Sequence, residues 1–326
     1  MGASQQGKRG GERLSLPRIV YFGSGAFAAP PLEQLHRAGY PILAVVSQPP
    51  KPAGRGMRLQ QTPVHALAES LGLSALTPAR VRAPEFLEQL RALAPDLIVL
   101  ASYGKILPQA ALEIAPLGNW NLHGSLLPKY RGASPIQYAL LNGERETGVT
   151  LMEMVAEMDA GDIYLQAVEP IHPDDDYGSL EARLSQRAAT LLLDGLERLR
   201  AGTLTRTPQD HAAATYAPLI TKEDTRLRWE EPAERCRNRI RAFSPKPGAF
   251  TLWRGKTLKL WRAALAPGDP NAAPGTILAC TPDEVRVACG EGALRLLEVQ
   301  PESRPRMAIR AFVNGYRPQV GERLGE

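Results

Sequence analysis

The chain has 326 residues, 44% of them hydrophobic and 22% charged, a length that exceeds one typical core and predicts two soluble domains. No run of 18 apolar residues occurs, so no membrane-spanning segment is expected. The formal net charge of +5 is unevenly placed: residues 1–18 carry +3, residues 19–219 carry −4 and residues 220–326 carry +6, which excludes a uniformly basic chain and directs attention to a polyanion-facing C-terminal third.

In chain order, residues 1–17 are Gly-, Gln- and Arg-rich without an apolar stretch and read as a disordered tail rather than a secretory signal. Residues 18–22 form a short apolar strand that runs through Gly23-Ser24-Gly25 into a helix over 31–38. A strand over 41–47, a helix over 84–93 and a strand over 96–101 follow. The next elements are a strand over 118–123, a helix over 135–141, strands over 147–154 and 163–168, and a long helix over 179–201. Such alternation predicts an α/β, doubly wound, mainly parallel sheet for residues 18–202.

Periodicity stops in 203–221, which reads as a linker. Residues 222–326 then give a helix over 231–243 and five short strands over 249–253, 257–263, 275–280, 284–288 and 293–299, the pattern of a small β-barrel. Three cysteines, Cys236, Cys280 and Cys289, are an odd number at no ligand-like spacing. They argue against a disulfide framework and a zinc site, and for a reducing, cytoplasmic setting.

Two motifs invite chemistry. Gly23-Ser24-Gly25-Ala26-Phe27-Ala28 fits the G-x-G-x-x-A dinucleotide pattern, but the second strand ends Val45-Val46-Ser47-Gln48 with no acid for a ribose. The glycines are therefore read as a tight strand-to-helix turn, and no NAD is expected. The second motif is Asn121-Leu122-His123 followed by Gly124-Ser125-Leu126-Leu127-Pro128. Alternation puts Asn121 and His123 on one face of a strand end, and an acidic turn, Asp159-Ala160-Gly161-Asp162, follows another strand. An amide, an imidazole and a carboxylate converging at a strand edge can move an acyl group, because two donors can meet a developing oxyanion while the carboxylate holds the imidazole.

Asn121, His123, the Ser125–Pro128 run, Arg131-Gly132, Thr147-Gly148-Val149-Thr150 and Asp159-Ala160-Gly161 together resemble the formyltransferase family that uses 10-formyltetrahydrofolate. The resemblance covers nearly all of residues 18–320. It implies a Rossmann-like catalytic domain with an OB-like C-terminal barrel, and Asn121, His123 and Asp159 as the catalytic trio. It also implies that Ser125, Leu126, Leu127 and Pro128 line the folate pocket, and that no metal takes part.

The acceptor is read elsewhere. Residues 48–63, rich in Pro and Gly and carrying Lys51, Arg55 and Arg58, resemble the loop with which some family members wedge into the acceptor end of initiator tRNA. Pro49-Pro50 departs from that pattern, where Gln-Pro-Asp is commoner. Residues 240–249 resemble the opening of the family's C-terminal barrel. The loop's resemblance thus implies initiator methionyl-tRNA as partner, contacted by Lys51, Arg55 and Arg58, in translation initiation. The +6 charge of the C-terminal third favours RNA and adds Arg235 and Arg239, on one helical stripe, as contacts. A monomer is expected. Arg237 and Arg241 fall nearly opposite Arg235 and Arg239 on their helix, so not all four can face one phosphate strand.

Overall fold

A computed structural model describes residues 15–53 and 58–325. The chain forms two compact units, one of Met1–His123, Val149–Ala167 and Ser185–Ala212, the other of Gly124–Gly148, Val168–Leu184 and Ala213–Glu326.

The first half of the chain runs β1 (Ile19–Gly23), α1 (Ala29–Arg37), β2 (Ile42–Val46), β3 (Lys51–Ala53), β4 (Arg58–Gln60), α2 (Pro63–Ser70), β5 (Ala75–Leu76), α3 (Pro84–Leu93), β6 (Leu97–Ala101), α4 (Gln109–Leu112) and β7 (Asn119–His123). It continues through α5 (Pro135–Leu141), β8 (Glu146–Glu153), β9 (Ile163–Pro170) and α6 (Tyr177–Ala201). Seven strands make one sheet in the order β5-β2-β1-β6-β7-β8-β9. The first five are parallel, whereas β8 runs antiparallel to β7 with His123 opposite Thr150 and Asn121 opposite Met152. The sheet is therefore mainly parallel with helices between its strands, as the alternation predicts.

β1 (Ile-Val-Tyr-Phe-Gly) and β6 (Leu-Ile-Val-Leu-Ala) are buried at every position, which is why they read as continuous apolar runs. On one face Val20 and Phe22 pack with Phe86, Leu90, Ile98 and Tyr103. The Phe22 ring meets Tyr103 edge-on, with centroids 5.2 Å apart. Each such buried side chain contributes about 1.5–3 kcal/mol of transfer free energy. On β7, Trp120 points to the opposite face from Asn121 and His123, its ring 5.2 Å from that of Tyr164. Gly195 of α6 leaves room there: a Cβ at this position would lie 3.4 Å from Trp120 and 2.5 Å from Leu151. One face of β7 is thus given to packing and the other is left for polar groups.

The second unit contains α7 (Ala233–Ala242), β10 (Ala249–Trp253), β11 (Lys256–Ala266), β12 (Ile277–Thr281), β13 (Glu284–Ala288), β14 (Ala293–Pro301), β15 (Met307–Ala308) and α8 (Ile309–Tyr316). The strands form a six-stranded antiparallel sheet in the order β10-β11-β14-β13-β12, with β15 on β14. Register shifts around Leu260 and Arg262 let the long β11 curl, as bulges do. The gap between β10 and β12 is bridged by the chain's last residues. Leu324 N–H donates to Gly275 O and Gly325 N–H to Leu252 O, both at 2.8 Å, and Trp253 pairs with Leu324 while Thr276 pairs with Arg323. These bonds occupy edge groups that would otherwise lie open.

Candidate active site

β7 ends at His123, and its alternation sets Asn119, Asn121 and His123 on one face. All three are buried. The loop between β8 and β9 brings Asp159 against this face. The Asn121 amide Nδ2 donates to Asp159 Oδ1 at 3.4 Å, and His123 Nδ1 lies 3.7 Å from Asp159 Oδ2. One carboxylate therefore addresses both neighbours, an oxygen to each. His123 is 6% exposed and the Asp159 side chain 15%. At that burial water screens interactions between the two side chains only weakly.

The acidic turn is shaped by backbone constraints. Asp159 has a φ of 50°, a left-handed conformation uncommon for any residue but glycine. At Gly161 an added Cβ would collide with the carbonyl oxygen of Glu153, so glycine is required there. Glu153 N–H donates to Asp162 O at 2.9 Å and closes the base of the loop. Gln209 carries no motif in the sequence, yet it lies buried beside the turn with its Nε2 2.8 Å from Asp159 O and 2.7 Å from Gly161 O. Only a solitary amide in a patternless stretch marks this residue, and no spacing rule would have selected it.

Directly after β7, Ser125 is fully buried and its hydroxyl donates to Lys129 O at 2.6 Å, while Leu126 O accepts from Lys129 N–H at 3.1 Å. Ser125–Pro128 is thus a closed turn rather than an open loop. Arg131 N–H donates to Thr215 O and Arg131 O accepts from Ala217 N–H, at 2.8 and 2.7 Å. This ties the end of the segment to the patternless stretch before α7.

The Gly23–Ala28 turn follows β1. Ser24 and Gly25 N–H both donate to Ser102 O, at 3.2 and 3.1 Å, and a Cβ on Gly25 would lie 2.5 Å from Ser102 Oγ. These two amides are spent on the residue that follows β6, and the glycines are explained by close approach. Among the described residues, no group of three or more His, Cys, Asp or Glu side chains is placed to hold a metal ion. None of the described helices is long and apolar enough to cross a membrane.

The basic loop is a hairpin. β3 and β4 pair with Lys51 opposite Gln60 and Ala53 opposite Arg58, so Lys51 and Arg58 project from the same side of a two-stranded ribbon. Both are exposed. Arg55 lies outside the described residues. At the hairpin's base Gln48 Nε2 donates to Tyr103 O at 2.7 Å, and Ser47 Oγ bonds Thr62 Oγ1.

α7 separates the two arginines expected to share a stripe. Arg235 is exposed. Arg239 is engaged within the chain: its Nη2 bonds both Glu231 carboxylate oxygens at 3.1 and 3.2 Å, and its Nη1 donates to Asp224 O at 2.7 Å. With its side chain only 15% exposed, Arg239 braces the segment that leads into α7. Arg241, on the other stripe, donates to Pro173 O at 2.8 Å, and burial pulls its guanidinium pKa below the usual value.

An open α/β sheet thus brings an amide and an imidazole on one strand face together with a carboxylate shared between them. Residues 17–196 match the formyl transferase family and residues 219–317 the formyl transferase C-terminal domain; the chain belongs to that family. A methionyl-tRNA formyltransferase from Geobacter metallireducens is 45% identical over 307 residues, covering 94% of this chain and 98% of that protein. One from Symbiobacterium thermophilum is 46% identical over 309 residues, covering 94% and 95%.

Among solved structures, the N-formyltransferase from Helicobacter canadensis in complex with folinic acid and dTDP-3-aminofucose matches with a TM-score of 0.65 at 18% identity, covering 87% of this chain and 99% of that one. HypX from Aquifex aeolicus in complex with tetrahydrofolic acid matches with a TM-score of 0.62 at 20% identity. That match covers 94% of this chain but 49% of HypX, so the chain spans about half of that protein. At these identities the two structures share the fold.

Proposed function

We propose that the chain transfers the formyl group of 10-formyltetrahydrofolate to the α-amino group of methionine on initiator methionyl-tRNA, acting as a monomer in the cytoplasm. The convergence of Asp159 on both Asn121 and His123 carries the reaction. The full-length relatives, together with the exposed Lys51–Arg58 hairpin, support the acceptor.

The free amine, whose pKa is near about 8, attacks the formyl carbon through its lone pair. The new N–C bond turns the carbonyl oxygen into an oxyanion. The Asn121 amide and the His123 imidazole donate to that oxygen, and one such donor lowers a barrier by about 3 kcal/mol. The C–N bond to the folate then breaks, and the proton lost by the attacking nitrogen goes to the departing N10. His123 passes that proton while Asp159 keeps the imidazole oriented. Ser125, Leu126, Leu127 and Pro128 form the wall that receives the folate.

The test is one assay with label in the formyl group of 10-formyltetrahydrofolate, offering methionyl-tRNA and an amino-sugar nucleotide side by side. Label is expected on the tRNA-bound methionine. Label on the sugar alone would overturn the acceptor, and label on neither would overturn the reaction.

A further inference from the structure

We infer that Gln209 is a positioning residue for Asp159, holding the acidic turn in the shape that presents its carboxylate to Asn121 and His123. The inference rests on the proposed formyl transfer and adds a residue to its machinery. Both Nε2 hydrogens of Gln209 have partners, Asp159 O at 2.8 Å and Gly161 O at 2.7 Å. Both partners are carbonyl oxygens, so only the amide nitrogen can face them and the orientation of the side chain is fixed by chemistry.

The turn needs such a clamp. Asp159 sits at φ 50°, a conformation disfavoured for an L-residue that persists only where its surroundings over-determine it. On one side Gly161 is pressed against Glu153 O. On the other, Gln209 reaches over Ala160 to grip the carbonyls of both flanking residues. Gln209 is itself delivered by a short pairing in which Ile163 and Thr207 exchange N–H···O bonds at 2.8 and 2.9 Å. Arg206 adds an ion pair to Glu153 at 2.7 Å. The patternless stretch after α6 therefore runs as a strut alongside the start of β9, and its one buried amide closes on the catalytic turn.

Loss of the clamp frees the turn to relax toward ordinary backbone angles, which shifts the carboxylate away from its 3.4 and 3.7 Å contacts. A misplacement of about 1 Å is enough to cost about 100-fold in rate. The experiment compares Gln209→Met and Gln209→Glu with wild type, each alone and in an Asp159→Asn background, by single-turnover formylation of methionyl-tRNA. Melting temperatures are recorded alongside, and Gln209→Asn, which keeps the amide but shortens its reach, serves where either variant costs the fold.

The expected result is a fall in kcat of about 10- to 100-fold with KM for both substrates within about twofold. In the Asp159→Asn background the same substitution should have little further effect, the non-additivity of residues acting through one another. An equal fold-loss in both backgrounds, a change confined to KM, or wild-type kcat in a folded variant would overturn the positioning role. An inactive wild type would instead overturn the proposed reaction, so the two failures are told apart in the same assay.

Discussion

At the scale of single residues, Asn121 and His123 are fixed by the strand that carries them, so removing their functional groups leaves the scaffold in place. Asn121→Ala and His123→Ala are each expected to lower kcat by about 100- to 1,000-fold, the range for loss of one oxyanion donor, with KM for methionyl-tRNA little changed. Steady-state kinetics of the purified variants check this, and wild-type kcat in either would contradict the assigned roles. Arg235 and Arg239 offer a second comparison at this scale, because one is exposed and the other is spent on Glu231 and Asp224. Arg239→Ala should lower the melting temperature, since it strips the partner from a partly buried carboxylate. Arg235→Ala should leave the melting temperature unchanged and raise KM for the tRNA. The reverse pattern would exchange their roles.

At the scale of elements, apolar periodicity made the sheet legible. β1, β6 and β7 are continuous buried runs, and their order in the chain already implied parallel pairing. The acidic turn was legible because Asp-Ala-Gly-Asp follows a strand, but its contact with β7 was not. β8 runs antiparallel to β7, and that direction depends on which neighbour it pairs with, not on its own residues. The short helix α2 begins at Pro63 behind the Thr62 cap, with His65 N–H donating to Thr62 Oγ1 at 3.1 Å; its eight residues hold too few turns for a clear apolar stripe. Segment 203–221 shows no pattern because its job is to pair and clamp, and those bonds use backbone groups that every residue carries.

The start of α6 shows how an element's end is held. Asp176 and Ser179 cap it reciprocally, Ser179 N–H donating to Asp176 Oδ1 at 2.9 Å and Asp176 N–H to Ser179 Oγ at 3.1 Å. Behind the cap, Arg183 grips Asp175 with two bonds of 2.6 and 2.7 Å and Glu169 with one of 2.9 Å. Burial pushes the Asp175 carboxyl up, but the hydrogen bonds from Arg183, the His172 N–H and Ser179 outweigh it and hold the pKa at about 2. An unfolded aspartate titrates near about 3.9. The folded value is the lower one, so the stability from this group is complete above about pH 4 and is lost as pH falls through about 2. Asp175→Asn should therefore be less stable than wild type at neutral pH, and the gap should narrow steadily between about pH 4 and pH 2. Urea midpoints across that range check it; a gap independent of pH would mean that the carboxylate's charge is not what stabilises the α6 entrance.

At the scale of the whole molecule, catalysis and charge are assigned to different stretches of chain. The trio lies within residues 121–159, in a part that carries a net negative charge, whereas residues 220–326 carry +6. On the proposed function, a tRNA held by that basic stretch would displace counterions from its phosphates, and each phosphate neutralised on a duplex adds about 0.9 to the slope of log affinity against log salt. Formyl transfer itself exchanges no counterions once the amine is in place. Raising salt from about 50 to about 200 mM should therefore raise KM for methionyl-tRNA steeply while kcat and KM for the folate change little. Replacing Lys51 and Arg58 together, which share one side of the β3–β4 ribbon, should reduce that slope by up to about 2 if each meets a phosphate. The trio substitutions should leave the slope untouched, because they act after the tRNA is bound. A salt slope that follows kcat instead of KM would place the rate-limiting electrostatic event in the chemistry, and would remove the basic third of the chain from tRNA capture.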